Sequence, residues 1–511
     1  LTVLKNNAAT SAGSIRMTNT AILSIDQGTT SSRAIVFSAD GEMLALAQKE
    51  LTLHYPHKGW VEQDANDIWA DTLWAIQSAL GQAADKGYDA VTAGITNQRE
   101  TTIIWDRESG KPIYNAIVWQ DRRTADICQR LKDAGHEAAI TDKTGLLLDP
   151  YFSASKIAWI LDNVDGARAK ADAGKLAFGT VDSFLIWHLT KGKRHYTDAT
   201  NASRTMLMNI QTGQWDDDLL ALFNIPASML PQICDNIHDF GTIDSDYAGK
   251  ALSIGGVAGD QQAALIGQAC FTKGMVKSTY GTGCFVLMNI GDIFKTSQNR
   301  LLTTVAYQMN GKITYALEGS IFVAGAAVQW LRDNVNFFDK ASDSEALALC
   351  VDDSNGVYFV PAFTGLGAPY WAPDAKAAIL GLSRESNKAH ITRAAIEAQA
   401  YQTQDLMEAF MADSGGDIAA LRCDGGLVSN GFMCQYLSDI LDKPVELPLI
   451  TETTALGAAY LAGLQAGIYK DLDDVSKKWQ LSKRYEPDMN ADQRADALAG
   501  WKTSVGQVLF T

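Results

Sequence analysis

The sequence is as informative in what it lacks as in what it holds. Its seven histidines form no H-x-x-x-H or H-E-x-x-H pattern, so no zinc site is expected from them. Its seven cysteines (128, 234, 270, 284, 350, 423 and 434) form no C-x-x-C pair and read as reduced, mostly buried thiols of a cytoplasmic protein. No Gly-Lys is followed by Ser or Thr, which excludes a P-loop, and the protein-kinase motif set is missing too. No secretory signal pattern and no uninterrupted apolar span of transmembrane length occur. The nearest approach, residues 455–469, is rich in Gly and Ala and broken by Gln465, and reads as a tightly packed buried helix. Basic runs are absent, and 43 basic against 59 acidic residues leave a net charge of −16. That balance argues against nucleic acid as an obligatory partner and against an anionic membrane surface.

What is present is an ordinary globular composition, 47% hydrophobic and 20% charged, in a chain of 511 residues. That is too long for one core, so two or three domains are expected. Strand and helix patterns alternate throughout, which indicates an α/β protein. Residues 1–16 show weak periodicity and read as a disordered leader before Met17.

Residues 24–37, SIDQGTTSSRAIVF, form the most telling stretch. An apolar strand ends at Asp26. A turn of Gly28, Thr29, Thr30, Ser31 and Ser32 follows, then Arg33 and a second strand. A hairpin tip that gathers N–H groups, hydroxyls and a cation suits phosphate oxygens. The carboxylate at its base suits Mg²⁺, which takes oxygen ligands. Matching parts recur. Residues 275–279 and 285–289 read as strands around Gly281-Thr282-Gly283, and a strand at 421–423 meets Asp424-Gly425-Gly426 before a helix starting near Asn430. A flat nucleobase can lie against such a glycine backbone, with Asn430 at its edge. Other strands are expected at 43–53, 91–96, 254–258 and 313–317, and helices at 67–84, 151–161, 320–335 and 391–411. Both halves open on a hairpin with a phosphate-type tip. We therefore expect two related domains, 17–265 and 266–511, with the active site in the cleft between them.

The segment YFSASKIAWI (151–160) resembles the first signature of the FGGY carbohydrate kinases, and residues 377–397 resemble the second. GITNQRETT (94–102), YNAIVWQDRR (114–123), GVAGDQQAAL (256–265), STYGTGCF (278–285) and FTGLGAPYW (363–371) are similar to the glycerol-phosphorylating branch of that family. The likeness runs from about residue 20 to 502. It implies two ribonuclease-H-like domains of the actin-like ATPase type, with ATP and Mg²⁺ as co-substrates. It also implies γ-phosphoryl transfer to a terminal hydroxyl of glycerol, and a homodimer or homotetramer. Carried over by motif, Arg99, Glu100, Trp119, Tyr151, Asp260, Gln261 and Phe285 form the polyol site. Thr29, Thr30, Ser31, Arg33, Thr282, Gly325, Gln329, Gly426 and Asn430 meet the nucleotide, and Asp26 the metal. The residue chemistry agrees: a triol needs several hydrogen-bond partners and an apolar wall, and Asp260 at a strand end is the candidate base. The alternatives are a family member acting on another small polyol or ketose, and an actin-like ATPase switch with no acceptor.

Overall fold

The structure is a computed structural model and describes residues 19–510. The leader expected at 1–16 lies outside the described residues.

The apolar run before Asp26 forms β1 (Thr20–Gln27), buried along almost its whole length. It pairs antiparallel with β2 (Ser31–Ser38), which pairs with β3 (Met43–Glu50). Helix α1 (Ala65–Asp85) opens where Asp64 accepts the Asn66 N–H. Its buried residues Ala65, Ile68, Thr72, Ala75, Ile76, Ala79 and Ala83 recur every three or four positions, and this face packs on β2 and β3. The chain then enters β4 (Asp89–Asn97), parallel to β1. A lobe with its own core (Ile140, Phe152, Ile157, Phe178 and Leu207) follows and contains α2 (Ser153–Asn163). Strands β5 (Thr242–Ile243) and β6 (Leu252–Gly259) complete the sheet in the order β5-β6-β4-β1-β2-β3.

After α3 (Asp260–Gly267) the pattern starts again with β7 (Val276–Tyr280), β8 (Cys284–Gly291), β9 (Leu302–Met309) and β10 (Lys312–Ile321). Helices α4 (Gly325–Asp333) and α5 (Lys388–Ser414) lead to β11 (Leu421–Asp424), α6 (Gly431–Leu441) and β12 (Val445–Pro448). Helix α7 (Thr453–Gln465) and β13 (Leu481–Tyr485) follow. The second sheet runs β9-β10-β8-β7-β11-β12-β13. Strand β7 is antiparallel to β8 and parallel to β11, as β1 is to β2 and β4.

Most boundaries differ from the sequence reading by a few residues, and three of the differences bear on the site and the strands around it. The strand expected to reach residue 53 ends at Glu50. The helix expected from 320 begins at Gly325, because Ser320 and Ile321 are still laddered to Phe285 and Cys284. The helix expected from 151 begins at Ser153, because the Tyr151 N–H is bound by Asp149 Oδ1 ahead of it.

The Gly/Ala-rich stretch is a buried helix, α7, and it returns to the first sheet. A Cβ on Gly94 of β4 would lie 2.1 Å from the Ala458 carbonyl oxygen. Against α3, a Cβ on Gly457 would lie 1.9 Å from Ala263 O, and one on Gly267 1.9 Å from Thr453 O. Glycine is therefore required at this seam. The boundary we propose between 265 and 266 falls in the last turn of α3. Among the described residues no helix is long and apolar enough to cross a membrane.

Candidate active site

Strands β1, β4 and β6 are parallel and end level, with Gln27 and Gly259 both registered on Asn97. Asp26, the Arg99–Glu100 turn and Asp260 therefore emerge at one edge, the carboxyl edge where open α/β sheets bind ligands. The phosphate-type turn and the Arg99 turn share a buried glutamine cluster. Gln98 Nε2 donates to Gln27 Oε1 (3.0 Å), Gln63 Oε1 (2.9 Å) and Gly28 O (3.2 Å), and Gln63 Nε2 to Thr29 O (2.6 Å).

Glu100 adopts φ +61°, a left-handed conformation that a non-glycine residue keeps only when its surroundings hold it. They do: its carbonyl accepts from Ser153 Oγ (2.9 Å) and Thr102 Oγ1 (3.1 Å). Its carboxylate accepts from Arg204 Nε at 2.6 Å. Arg99 Nε lies 3.1 Å from Asp260 Oδ1. Its other two nitrogens grip Glu318, Nη1 to Oε2 at 2.6 Å and Nη2 to Oε1 at 3.0 Å. Arg204 Nη2 also reaches Glu318 Oε1 (3.0 Å). Glu318 lies on β10, so a carboxylate of the second sheet ties together two cations of the first half of the chain. Burial pushes the Glu318 carboxyl up, but Arg204 and Arg99 outweigh it and hold the group at about 2. For Glu100, burial outweighs Arg204 and Arg99, and its carboxyl sits above the ordinary range.

The apolar wall also spans both halves. The Trp119 ring stands edge-on to Tyr151 at 5.5 Å and to Phe285 at 6.2 Å, and its Nε1 donates to Thr29 Oγ1 (2.9 Å). Burial raises the Tyr151 phenol well above its usual value and keeps it protonated. Gln261 receives the Lys277 ammonium on its side-chain oxygen, and Lys277 also donates to Thr279 Oγ1 at 3.0 Å. Asp260 itself retains 30% side-chain exposure. Surrounding protein raises its carboxyl above the ordinary aspartate range, against the pull of Arg99 and Lys277.

On the phosphate side, Thr30 is exposed and Thr29 and Ser31 half-buried. Arg33 pairs with Asp26 and, at 2.9 Å, with Glu452. The Gly281-Thr282-Gly283 turn caps α4: its Gly281 and Thr282 carbonyls accept from Gly325 N (3.0 Å) and Ala324 N (2.9 Å). Gln329 is exposed one turn along that helix. Beside it, Gly425 has φ +93°, and a Cβ there would lie 2.4 Å from Tyr280 O, so the two second-sheet turns touch. Gly426 has no heavy atom within 4 Å of where a Cβ would sit. The Asn430 side-chain oxygen caps α6 by accepting from Met433 N (2.9 Å). Among the described residues no group of three or more His, Cys, Asp or Glu is placed to hold a metal. The donors that do fit Mg²⁺ are the carboxylates of Asp26, 2% exposed, and Asp260, whose mutual repulsion contributes to raising the latter.

Residues 21–267 match the FGGY family of carbohydrate kinases, N-terminal domain, and residues 276–466 match its C-terminal domain. The chain belongs to this family. A glycerol kinase of Nitrosomonas eutropha is 61% identical over 488 residues, 96% of this chain and 98% of that protein. Glycerol kinase 1 of Pseudomonas aeruginosa is 57% identical over 487 residues, 95% and 98% of the two chains. The crystal structure of Plasmodium falciparum glycerol kinase with ADP superposes with a TM-score of 0.90 at 38% identity, covering 96% of this chain and 98% of that one. At 22% identity, a gluconate kinase of Lactobacillus acidophilus shares the fold, with a TM-score of 0.85 over 95% of this chain and 97% of its own.

In this FGGY kinase all seven polyol candidates surround one edge of the first sheet, with Phe285 contributed by the second. The nucleotide candidates fall on two sides, 29–33 at the first sheet and Thr282, Gly325, Gln329, Gly426 and Asn430 at the second. Sequence reasoning missed Arg204, Glu318 and Lys277. Arg204 and Glu318 find their partners more than 100 positions away, so nothing near them in the chain marks them. Lys277, bound to Gln261 and Thr279 only 16 and 2 positions away, reads in the sequence as one more residue of its strand.

Proposed function

We propose that this chain transfers the γ-phosphoryl group of ATP to glycerol, giving sn-glycerol 3-phosphate and ADP. Its 61% identical relative, a glycerol kinase, supports the substrate pair, as does the ADP in the P. falciparum structure. The observation that carries the reading is the meeting of Arg99, Glu100 and Asp260 with the Trp119–Phe285 wall at the strand ends beside the Thr29 turn. Arg99 and Glu100 supply hydrogen bonds to two hydroxyls, and the aromatic rings cover the carbon edge. The terminal hydroxyl faces Asp260. Its proton passes to the Asp260 carboxylate as its oxygen bonds to the γ-phosphorus, and the bond to the β-bridging oxygen breaks, releasing ADP. A carboxyl raised by burial is a stronger base than a free aspartate, which suits this role. Arg33 and the 29–31 hydroxyls receive phosphate oxygens from one side, and the Thr282 turn from the other. Gly426 and Asn430 flank the base. Asp26 would hold Mg²⁺, whose charge offsets that of the β- and γ-phosphates. The same reading includes a cytoplasmic homodimer or homotetramer.

The test is ADP release measured with and without glycerol. Release that depends on glycerol and yields glycerol 3-phosphate is expected. Turnover indifferent to glycerol would make the chain an ATPase switch instead.

A further inference from the structure

Lys156 is fully buried, in the first turn of α2. A cation there faces the positive end of the helix dipole, and burial of an ammonium is costly. Nothing in the proposed reaction uses it. Its Nζ donates to three successive main-chain carbonyls, Pro150 O at 2.5 Å, Tyr151 O at 2.7 Å and Phe152 O at 3.3 Å. An ammonium has three donors, and all three are spent on this one stretch of backbone. The stretch carries Tyr151, whose ring stands edge-on to Trp119 and whose N–H is held by Asp149 Oδ1 (2.9 Å). It continues into Ser153, whose hydroxyl holds the strained Glu100 turn.

We propose that Lys156 is a positioning residue for polyol recognition, its ammonium clamping the 150–152 carbonyls so that Tyr151 stands in the pocket wall and Ser153 reaches Glu100. The proposal rests on the reading of Tyr151 and Glu100 as polyol contacts. The ammonium turns the three carbonyls to one point, which fixes the backbone on which the Tyr151 ring is mounted. Burial pushes Lys156 down to about 8, against Glu100, Asp121, Asp149 and Cys128, the groups that face it from the Arg99 turn, the 119–123 loop and the neighbouring segments. Below that pH the clamp is charged and complete. Above it the neutral amine keeps two N–H donors for three carbonyls.

The test compares Michaelis constants of the full chain at several pH values, with thermal melting as a control for folding. The glycerol KM of the wild type should rise severalfold between about pH 7 and about pH 9.5, with the ATP KM steady. Lys156→Met should raise the glycerol KM about fivefold or more at pH 7, change the ATP KM and kcat little, and remove the pH dependence. Lys156→Gln keeps two donors without a charge, so its glycerol KM should fall below that of Lys156→Met and stay flat with pH. Tyr151→Ala serves as the reference for the pocket itself. If it raises the glycerol KM while Lys156→Met does not, the clamp is overturned and the pocket stands. If Tyr151→Ala leaves the glycerol KM unchanged, the pocket assignment falls first. Equal rises in both KM values for Lys156→Met, or a wild-type glycerol KM flat across the pH range, also overturn the clamp.

Discussion

Asp260 combines partial exposure with contact to a guanidinium and sits at the end of β6, so it can meet a hydroxyl without losing its anchor. Asp260→Asn keeps the shape and removes the base. We expect kcat to fall by at least about 10²-fold with both KM values nearly unchanged. Because its carboxyl is raised in the folded protein, kcat/KM of the wild type should decline on acidification at a pH above the ordinary aspartate range. Stopped-assay pH profiles check both statements, and near-normal turnover in the variant would remove Asp260 from the mechanism. The place of Asp260 at a strand end was legible in the sequence because its signal is local: an apolar strand, two small residues, then a carboxylate. Arg204 and Glu318 were not. Glu100 and Arg204 are 104 positions apart and Arg99 and Glu318 are 219 apart, so only the folded chain shows that these charges neutralise one another.

Among the elements, the hairpins were legible and the ends of helices less so. The turn chemistry at 28–32 and 281–283 marks both hairpins, whereas α5, expected over 391–411, runs from Lys388 to Ser414 before Gly415 in a left-handed conformation stops it. The start of α4 was misread because apolar periodicity does not separate the buried end of β10 from the helix after it. The packing of α7 was half visible: its Gly/Ala content signalled close approach but not the partner. The partners are α3 and the first sheet at Gly94, and both contacts are backbone to backbone. Gly457→Ala places a methyl where Ala263 O already lies, and neither backbone can yield easily. We expect a loss of about 1–3 kcal/mol in urea unfolding, although residue 457 belongs to none of the proposed ligand contacts. Unchanged stability would mean that α3 and α7 can slide apart at no cost.

On the scale of the whole molecule, the two halves share a charge network of Arg99, Arg204, Glu100, Glu318 and the partly exposed Asp260. Glu318→Gln removes the one carboxylate that both arginines share, leaving them in a nearly water-free site with Glu100 against Arg204 and Asp260 against Arg99. Breaking such a network typically costs about 3–5 kcal/mol, and the glycerol KM should rise as Arg99 loses its brace. Chemical denaturation and steady-state kinetics on the same sample would test this; a variant as stable as the wild type would show that water reaches the arginines. The two-sheet plan was readable from the repeated hairpins, whereas this ionic bond between them was not. It also bears on how the halves can be inherited. A chimera joining the first half of this chain to the second half of a relative receives Arg99, Arg204, Glu100 and Asp260 from one parent and must receive the carboxylate that both arginines share from the other. Recombination at the middle of the chain is thus silent only between sequences that agree at position 318, however well their surfaces and cores match.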